Sequence, residues 1–441
     1  MKKTAIIKDK LITFNKIIKV QGDKSLSIRW ALIASQAIGI SRAYNLLESE
    51  DVKNTLKVLN KLGIKIKNKN NYYEIFGNGL NSFNYKNNTI INAQNSGTLA
   101  RLILGVLARS ENYIILKGDK SLSNRDFSRV IKPLNHFGVK IKSNNNKLPL
   151  KMNGNKFLKP IYYEENKGSA QVKSCIMLAA LNSPGITKIK CIPSRDHTER
   201  MFKYIKIPII KTKKKKFDII KITGQKQYKS FNYRIPGDIS SSAFFIALTL
   251  LSKDSKILIK NVNINKSRTG IIDIFNKMNA KIKFKNKKIY QSEEVADIYV
   301  KSCSKLKAIN CPTSFNSRSI DEFLLIFLVA AKANGISYFK KIEELRHKES
   351  DRLKFTSKFL KMIGIKSIET KNSLKIYGNP NLSLNGKYEV KNFQKDHRVC
   401  MLSFVAALTL GGKWKINDID SINTSFPKFI DKIKKIGAIV N

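Results

Sequence analysis

The sequence is poor in the residues that anchor secreted and metal-bound folds. Its 441 residues include five cysteines, four histidines and two tryptophans. Cys175, Cys191, Cys303, Cys311 and Cys400 stand far apart with no CxxC pair, which argues against a disulfide framework and against a structural zinc site. Long apolar runs are missing as well. The longest uncharged one, Phe323–Ala331, is too short to span a bilayer. At the N-terminus, lysines break every apolar run of MKKTAIIKDKLITFNKIIKV, so no secretory signal is expected. Acidic residues are scarce, 32 against 83 Lys+Arg, giving a formal net charge of +51. Arginine is scarce too: fourteen of those 83 cations are Arg, and lysine outnumbers it about five to one. A nucleic-acid reader relies on Arg forks for bases and phosphates, so most of this charge reads as lysine on solvated faces. With 42% hydrophobic residues the chain is expected to be globular and cytoplasmic, with two or three domains.

A pattern recurs along the chain. LKVLNKLGIKIK (56–67), IKPLNHFGVKIK (131–142), IDIFNKMNAKIK (272–283), KFLKMIGIKSI (358–368) and DKIKKIGAIV (431–440) each read as a helix end, a Gly or Asn turn and an alternating strand. MFKYIKIPII (201–210) is a degenerate sixth copy. An earlier helix precedes each copy, starting near positions 25, 97, 169, 240, 321 and 394. Six modules of roughly 70 residues suggest two α/β domains of three modules each. The Pro-Gly punctuation at 233–237 marks a crossing between them.

Arginine gathers at the helix starts. Segments such as QGDKSLSIR (21–29), QNSGTLAR (94–101), SRDHTER (194–200), EELRHKESDR (343–352) and NFQKDHR (392–398) belong to twelve such windows. Together these hold eleven of the fourteen Arg and seven of the 69 Lys. A helix N-terminus presents four unpaired N–H groups and the positive end of its dipole. Ser, Thr, Asp and Asn cap it, Gly lets a ligand approach, and Arg completes an anion site. Several such sites predict small ligands with several negative groups.

GDKSLSIRWALIASQAIGISRAYNLLESEDV, NSGTLAR, GDKSLSNRDFSRVIKPL, GSAQVKS, SRDHTER, IDE, ELRHKESDRL and KDHR occur in this order, from about Gly22 to Pro427. Together they resemble the enolpyruvyl transferase family of EPSP synthase. The resemblance implies a two-domain, inside-out α/β barrel, each domain built of three βαβαββ units, with an active site in the cleft between domains. Residues 1–20 plus 236–441 would form one domain and 21–235 the other. It implies transfer of the enolpyruvyl group of phosphoenolpyruvate to the 5-hydroxyl of shikimate 3-phosphate, by a monomer using no cofactor and no metal.

Roles follow from the same resemblance. Lys24, Ser25, Arg29, Ser169, Ala170, Gln171, Arg195, Asp321 and Lys348 would bind shikimate 3-phosphate, with Ser194 nearby. Lys24, Gly97, Arg125, Gln171, Arg352 and Arg398 would bind phosphoenolpyruvate. Asp321, Glu349 and Lys24 would be catalytic: Asp321 accepts the 5-hydroxyl proton, and Glu349 or Lys24 protonates C3. Gly97 would leave the room that glyphosate, a mimic of phosphoenolpyruvate, also occupies. The sequence departs from the family at Gln21, Ile28, Asp126 and Leu324–Leu325, and it has Thr424 where some members carry a Lys. Asp126 beside Arg125 is expected to weaken local anion affinity.

Two other readings are weaker. A transferase acting on UDP-N-acetylglucosamine would need a Cys in the loop 115–128, and none is there. A nucleic-acid-binding protein would need basic stripes with exposed aromatics, and KTKKKKFDIIK (211–221) reads more simply as a lysine-bearing edge strand and loop. His397 is expected near the active site, His197 and His347 in helix-start loops, and His136 in a structural place. Cys175 and Cys400 are expected to be core thiols.

Overall fold

The computed structural model describes residues 3–441, so the first two residues of the N-terminal stretch lie outside it. Two compact units emerge. One comprises the chain up to Gln21, Pro236–Ile289 and Glu294–Asn441, and the other Gly22–Ile235 with Tyr290–Glu293.

In the unit of Gly22–Ile235, one sheet plan occurs three times. Ile38–Tyr44 pairs in parallel with Asn232–Arg234 and antiparallel with Tyr72–Asn78, which carries Lys65–Lys69. Ile114–Lys117 likewise joins Thr89–Asn92 in parallel and Leu150–Asn153 antiparallel, with Lys140–Ser143 outermost. Ile186–Cys191 lies between Tyr162–Glu165 and Asp218–Thr223, with Ile209–Lys213 at the edge. Each sheet has an apolar inner face and a lysine-rich outer one, as the alternation KIK requires. The helices Lys24–Ala34, Gly97–Val106 and Ala170–Ala180 are buried nearly all round, as expected for segments without a polar stripe. The second of these packs on both of the others.

The other unit repeats the plan with variations. Lys256–Asn263 pairs in parallel with Asn15–Lys19 and antiparallel with Glu293–Lys301, beside Lys283–Tyr290. Ile336–Lys340, Ser373–Tyr377 and Ser367–Glu369 form a second sheet. The third sheet closes with the N-terminus, Ala5–Ile7 lying antiparallel to Gly411–Ile416, which runs parallel to Leu384–Val390. The central helices are Ile239–Leu251, Phe323–Ala331 and His397–Leu410, and all three pack on one another. The nine-residue apolar run is thus one of these central helices. No helix among the described residues is long and apolar enough to cross a membrane. Among the described residues all six sheets are open, three- or four-stranded, and none closes on itself, so any barrel character is one of sheets around helices.

The helix starts fall at Lys24, Gly97, Ala170, Ile239, Phe323 and His397, within three residues of the positions read from the repeat. The turns after the second helices share one backbone feature. Gly63, Gly138, Asn279, Gly364 and Gly437 all take a positive φ, between 75° and 112°. In the degenerate copy the same left-handed place is held by Lys206, at φ 60°. The copy at 431–440 departs in its strand. Residues 437–440 form none, and Asn441 instead exchanges two backbone hydrogen bonds with Ile6. Ala5–Ile7, paired with Gly411–Ile416 on one side, meets Asn441 on the other.

Two candidate anion-binding clusters

In the unit of Gly22–Ile235, helix starts carry the predicted binding residues. Asp23 caps the first helix by accepting from Leu26 N at 2.9 Å. Gly22 is needed because a Cβ there would lie 2.0 Å from Asn45 O. Lys24 Nζ donates to Asp51 Oδ2 at 2.8 Å. Ser25 lends its carbonyl to Arg29 Nη1. The buried Arg29 also reaches Thr198 Oγ1 at 2.9 Å and Ser174 Oγ at 3.0 Å, and so joins three helices.

Gly97 opens the second central helix, capped by Ser96. A Cβ on Gly97 would stand 2.9 Å from Arg101 Nη1 and 3.0 Å from Arg125 Nη1, so two guanidinium groups converge over its Cα. Arg101 donates to Gln171 Oε1 at 3.0 Å, and Gln171 Nε2 donates to Thr98 Oγ1 at 3.0 Å. Gln171 therefore bridges two helix starts. Ser169 caps its own helix at Ala170, and the loop before it is held by Glu165, which accepts from Lys167 N and Ser169 N, both at 3.0 Å. Burial pushes the Glu165 carboxyl above its ordinary range, although those N–H groups and Lys173 oppose it. Ser194 Oγ is buried with no hydrogen-bond partner among the described residues, and Arg195 beside it is half-buried.

The other unit carries the predicted reacting groups. Asp321 Oδ1 lies 3.5 Å from Lys348 Nζ and 3.6 Å from Arg352 Nη1, and its Oδ2 lies 3.9 Å from Arg398 Nη2. Glu349 Oε2 accepts from Arg352 Nη2 at 2.7 Å. Asp321, Lys348, Glu349, Arg352 and Arg398 are thus brought together around one carboxylate. Arg352 is 1% exposed, and its Nε and Nη2 bond to Asp396 at 2.9 and 3.2 Å. Burial disfavours the Arg352 charge, but Asp396, Glu349 and Asp321 outweigh it and raise the guanidinium further. For Asp396, burial raises the carboxyl, yet the Arg352 ion pair leaves it below the usual carboxylate range. Arg352 Nη1 is buried, makes no hydrogen bond among the described residues and faces Asp321 Oδ1 at 3.6 Å. Arg346, bonded to Asp351, Glu369 and two backbone carbonyls, clamps the loop that carries Lys348 and Glu349.

Several of these groups are absent from the sequence reading. Asp51, Thr98, Arg101, Ser174 and Thr198 hold the predicted ligands in place, and Asp396 both caps its helix and binds Arg352. A usable signal existed for Asp396: an Asp stands before the helix at Asp23, Asp119, Asp238, Asp351 and Asp396, each accepting from a backbone N–H inside it. The Asp126 carboxylate accepts from Ser128 N at 2.8 Å and from the Ser128 hydroxyl, and so serves the start of the next helix; these two bonds, with Arg129 and Arg101, outweigh desolvation and lower its pKa. Ile28, in place of the family's His, is fully buried in the core. His197 and His397 are buried, while His136 and His347 are exposed. The Cys175 and Cys400 thiols are buried and pushed up to about 12 by burial.

The family model for EPSP synthase (3-phosphoshikimate 1-carboxyvinyltransferase) matches residues 9–433. The chain belongs to the EPSP synthase family. It is 39% identical over 429 residues to the 3-phosphoshikimate 1-carboxyvinyltransferase of Ruthia magnifica subsp. Calyptogena magnifica, covering 96% of each chain. The enzyme of that name from Petrotoga mobilis is 38% identical over 430 residues, 96% of this chain and 98% of its own. Among solved structures, an EPSP synthase from Acinetobacter baumannii aligns with a TM-score of 0.86 at 32% identity, covering 100% of this chain and 99% of that one. The enolpyruvyl transferase NikO from Streptomyces tendae shares the fold, with a TM-score of 0.78 at 13% identity and the same coverage.

Proposed function

We infer that the two clusters of the EPSP synthase family serve one reaction in this chain. The chain transfers the enolpyruvyl group of phosphoenolpyruvate to the 5-hydroxyl of shikimate 3-phosphate, releasing phosphate. The observation that carries the assignment of roles is the ring of Lys348, Arg352 and Arg398 around Asp321, with Glu349 on Arg352.

Asp321 accepts the 5-hydroxyl proton as that oxygen attacks C2 of phosphoenolpyruvate, and Glu349 or Lys24 supplies a proton to C3. When the C2–O bond to phosphate breaks, C3 returns a proton and the vinyl group re-forms. Arg125, Gln171, Arg352 and Arg398 hold the carboxylate and phosphate of phosphoenolpyruvate beside Gly97. Ser25, Arg29, Ser169, Ala170, Gln171, Arg195 and Lys348 hold shikimate 3-phosphate, while Lys24 reaches both substrates. The buried hydroxyl of Ser194 and the buried Nη1 of Arg352 support this division, since each is a donor without a hydrogen bond among the described residues that a bound anion would satisfy. Charges set in place before the reaction need no reorganisation as the transition state forms. In this reading the domains are residues 1–20 plus 236–441 and 21–235, with the substrates in a cleft between them. The chain works as a cytoplasmic monomer, without nucleic-acid or membrane partners and without a cofactor.

Phosphate release by the purified chain with both substrates tests this. We expect release that depends on shikimate 3-phosphate and does not occur with UDP-N-acetylglucosamine. Asp321→Asn should lower kcat by roughly 10²- to 10⁴-fold, the usual worth of a positioned general base. A variant retaining nearly full kcat would remove Asp321 from the mechanism.

A further inference from the structure

Beneath the shikimate 3-phosphate segments lies a charged pair that the reaction does not itself need. Lys173 is 0% exposed on the helix Ala170–Ala180, and its Nζ lies 2.7 Å from Oε1 of Glu199, itself buried on the helix His197–Tyr204. Beside it runs a second rung. Ser174 Oγ and Thr198 Oγ1 are 2.7 Å apart, and both accept from Arg29. Each charge sits one helical turn beyond a binding segment. Lys173 N bonds to Ser169 O at 3.1 Å, and Glu199 follows Arg195 by four residues. Three further acids and one cation surround the pair: Lys211 Nζ lies 3.7 Å from Glu199, 4.0 Å from Asp196 and 3.0 Å from Asp218, and the Glu165 carboxyl feels the Lys173 charge.

Two apolar side chains of similar size could hold these helices together at least as firmly, because a buried ion pair carries a desolvation cost. A single 2.7 Å ion pair does something packing does not: it sets the length of the link between two helix starts. We propose that Lys173 and Glu199 are positioning residues, fixing the spacing of the Ser169 and Ser194–Arg195 segments so that both address the same substrate phosphate. The proposal rests on the assignment of those segments to shikimate 3-phosphate. It also gives the two charges unequal standing. Glu199 keeps Lys211 if Lys173 is lost, whereas Lys173 has no other ion pair within 4.0 Å among the described residues if Glu199 is lost.

The test is calorimetric binding of shikimate 3-phosphate to the full chain without phosphoenolpyruvate, alongside thermal melting. The double variant Lys173→Met/Glu199→Gln removes both charges at nearly constant volume. It should melt close to the unaltered chain yet bind shikimate 3-phosphate about tenfold more weakly, the loss of one close, buried ion-pair contact. At saturating shikimate 3-phosphate, its KM for phosphoenolpyruvate should move less than about twofold. Glu199→Asp, which keeps the charge and shortens the reach, should fall between. Glu199→Gln alone should melt lower than Lys173→Met alone. Unchanged affinity in the folded double variant would show the pair to be structural only, and so would equal weakening toward both substrates with a lowered melting point. If the double variant does not fold, Lys173→Met alone, with Glu199 still facing Lys211, is read by the same criteria. Failure of the unaltered chain to bind shikimate 3-phosphate would overturn the substrate assignment itself, an outcome distinct from the others.

Discussion

Replacing Gly97 with Ala separates binding from stability. The added Cβ would meet Arg101 Nη1 at 2.9 Å and Arg125 Nη1 at 3.0 Å, with Leu122 Cδ1 at an unstrained 3.7 Å. Ordinary carbon contacts begin near 3.5 Å, so each guanidinium must retreat by about half an ångström. Both are ends of flexible side chains, and the backbone around Gly97 need not move. Gly97 is the first residue of its helix, where Ala is favoured by at most about 1 kcal/mol. The melting temperature should therefore hold or rise slightly. Binding should suffer, because a charge-assisted hydrogen bond displaced by that distance loses about 1–2 kcal/mol, a factor of roughly 5 to 30. Initial rates of phosphate release at saturating shikimate 3-phosphate should show that rise in KM for phosphoenolpyruvate. Glyphosate, competing for the same space, should weaken at least as much. An unchanged KM for phosphoenolpyruvate would mean that Arg101 and Arg125 do not reach it. A fall in melting temperature alongside the rise in KM would show that the backbone, and not the guanidinium pair, had yielded.

Two further outcomes follow from the same structure. Asp396→Asn leaves Arg352 buried with a weakened partner and should cost about 3 kcal/mol in denaturant unfolding. Because the native Asp396 carboxyl lies below its unfolded value, its contribution is present above about pH 4 and is lost as pH falls through the native value. The unaltered chain should thus lose stability on acidification more steeply than the variant. Lys206→Gly relieves a left-handed backbone at φ 60° and should raise stability by about 1 kcal/mol; a loss would mean that the lysine side chain does more than fill the turn.

The places where the sequence was readable share a physical cause. Helix starts, Gly and Asn turns and KIK alternation are local, so six imperfect copies reinforce one another. Arg gathered at the helix starts because geometry there demands a planar fork, while lysine sufficed on the solvated faces. The run 211–221 shows the limit of that rule. It forms the end of an edge strand, a turn with exposed lysines and the start of the inner strand Asp218–Thr223, yet Lys211 turns inward to Asp196, Glu199 and Asp218, and its charge is favoured there although burial opposes it. Partners distant in sequence left no local trace. Lys24 finds Asp51, Arg352 finds Asp396, and buried His197 finds Glu293, 96 residues away, at 2.7 Å. The missing strand of the copy at 431–440 was illegible for the same reason, since its neighbour, Ala5–Ile7, comes from the other end of the chain.

That N-terminal strand has a consequence for synthesis on the ribosome. Asn15–Lys19 cannot pair until Lys256–Lys260 has been made, and Ala5–Ile7 must await Trp414–Ile416. At 5–20 residues per second the first strand waits roughly 20 to 80 s with its edge unpaired. The unit of Gly22–Ile235 emerges during that wait, yet its own last piece, Tyr290–Glu293, arrives only after translation has passed into the other unit. The lysines at positions 8, 10, 16 and 19 suit this delay, because charge on an unpaired strand discourages pairing with neighbouring nascent chains.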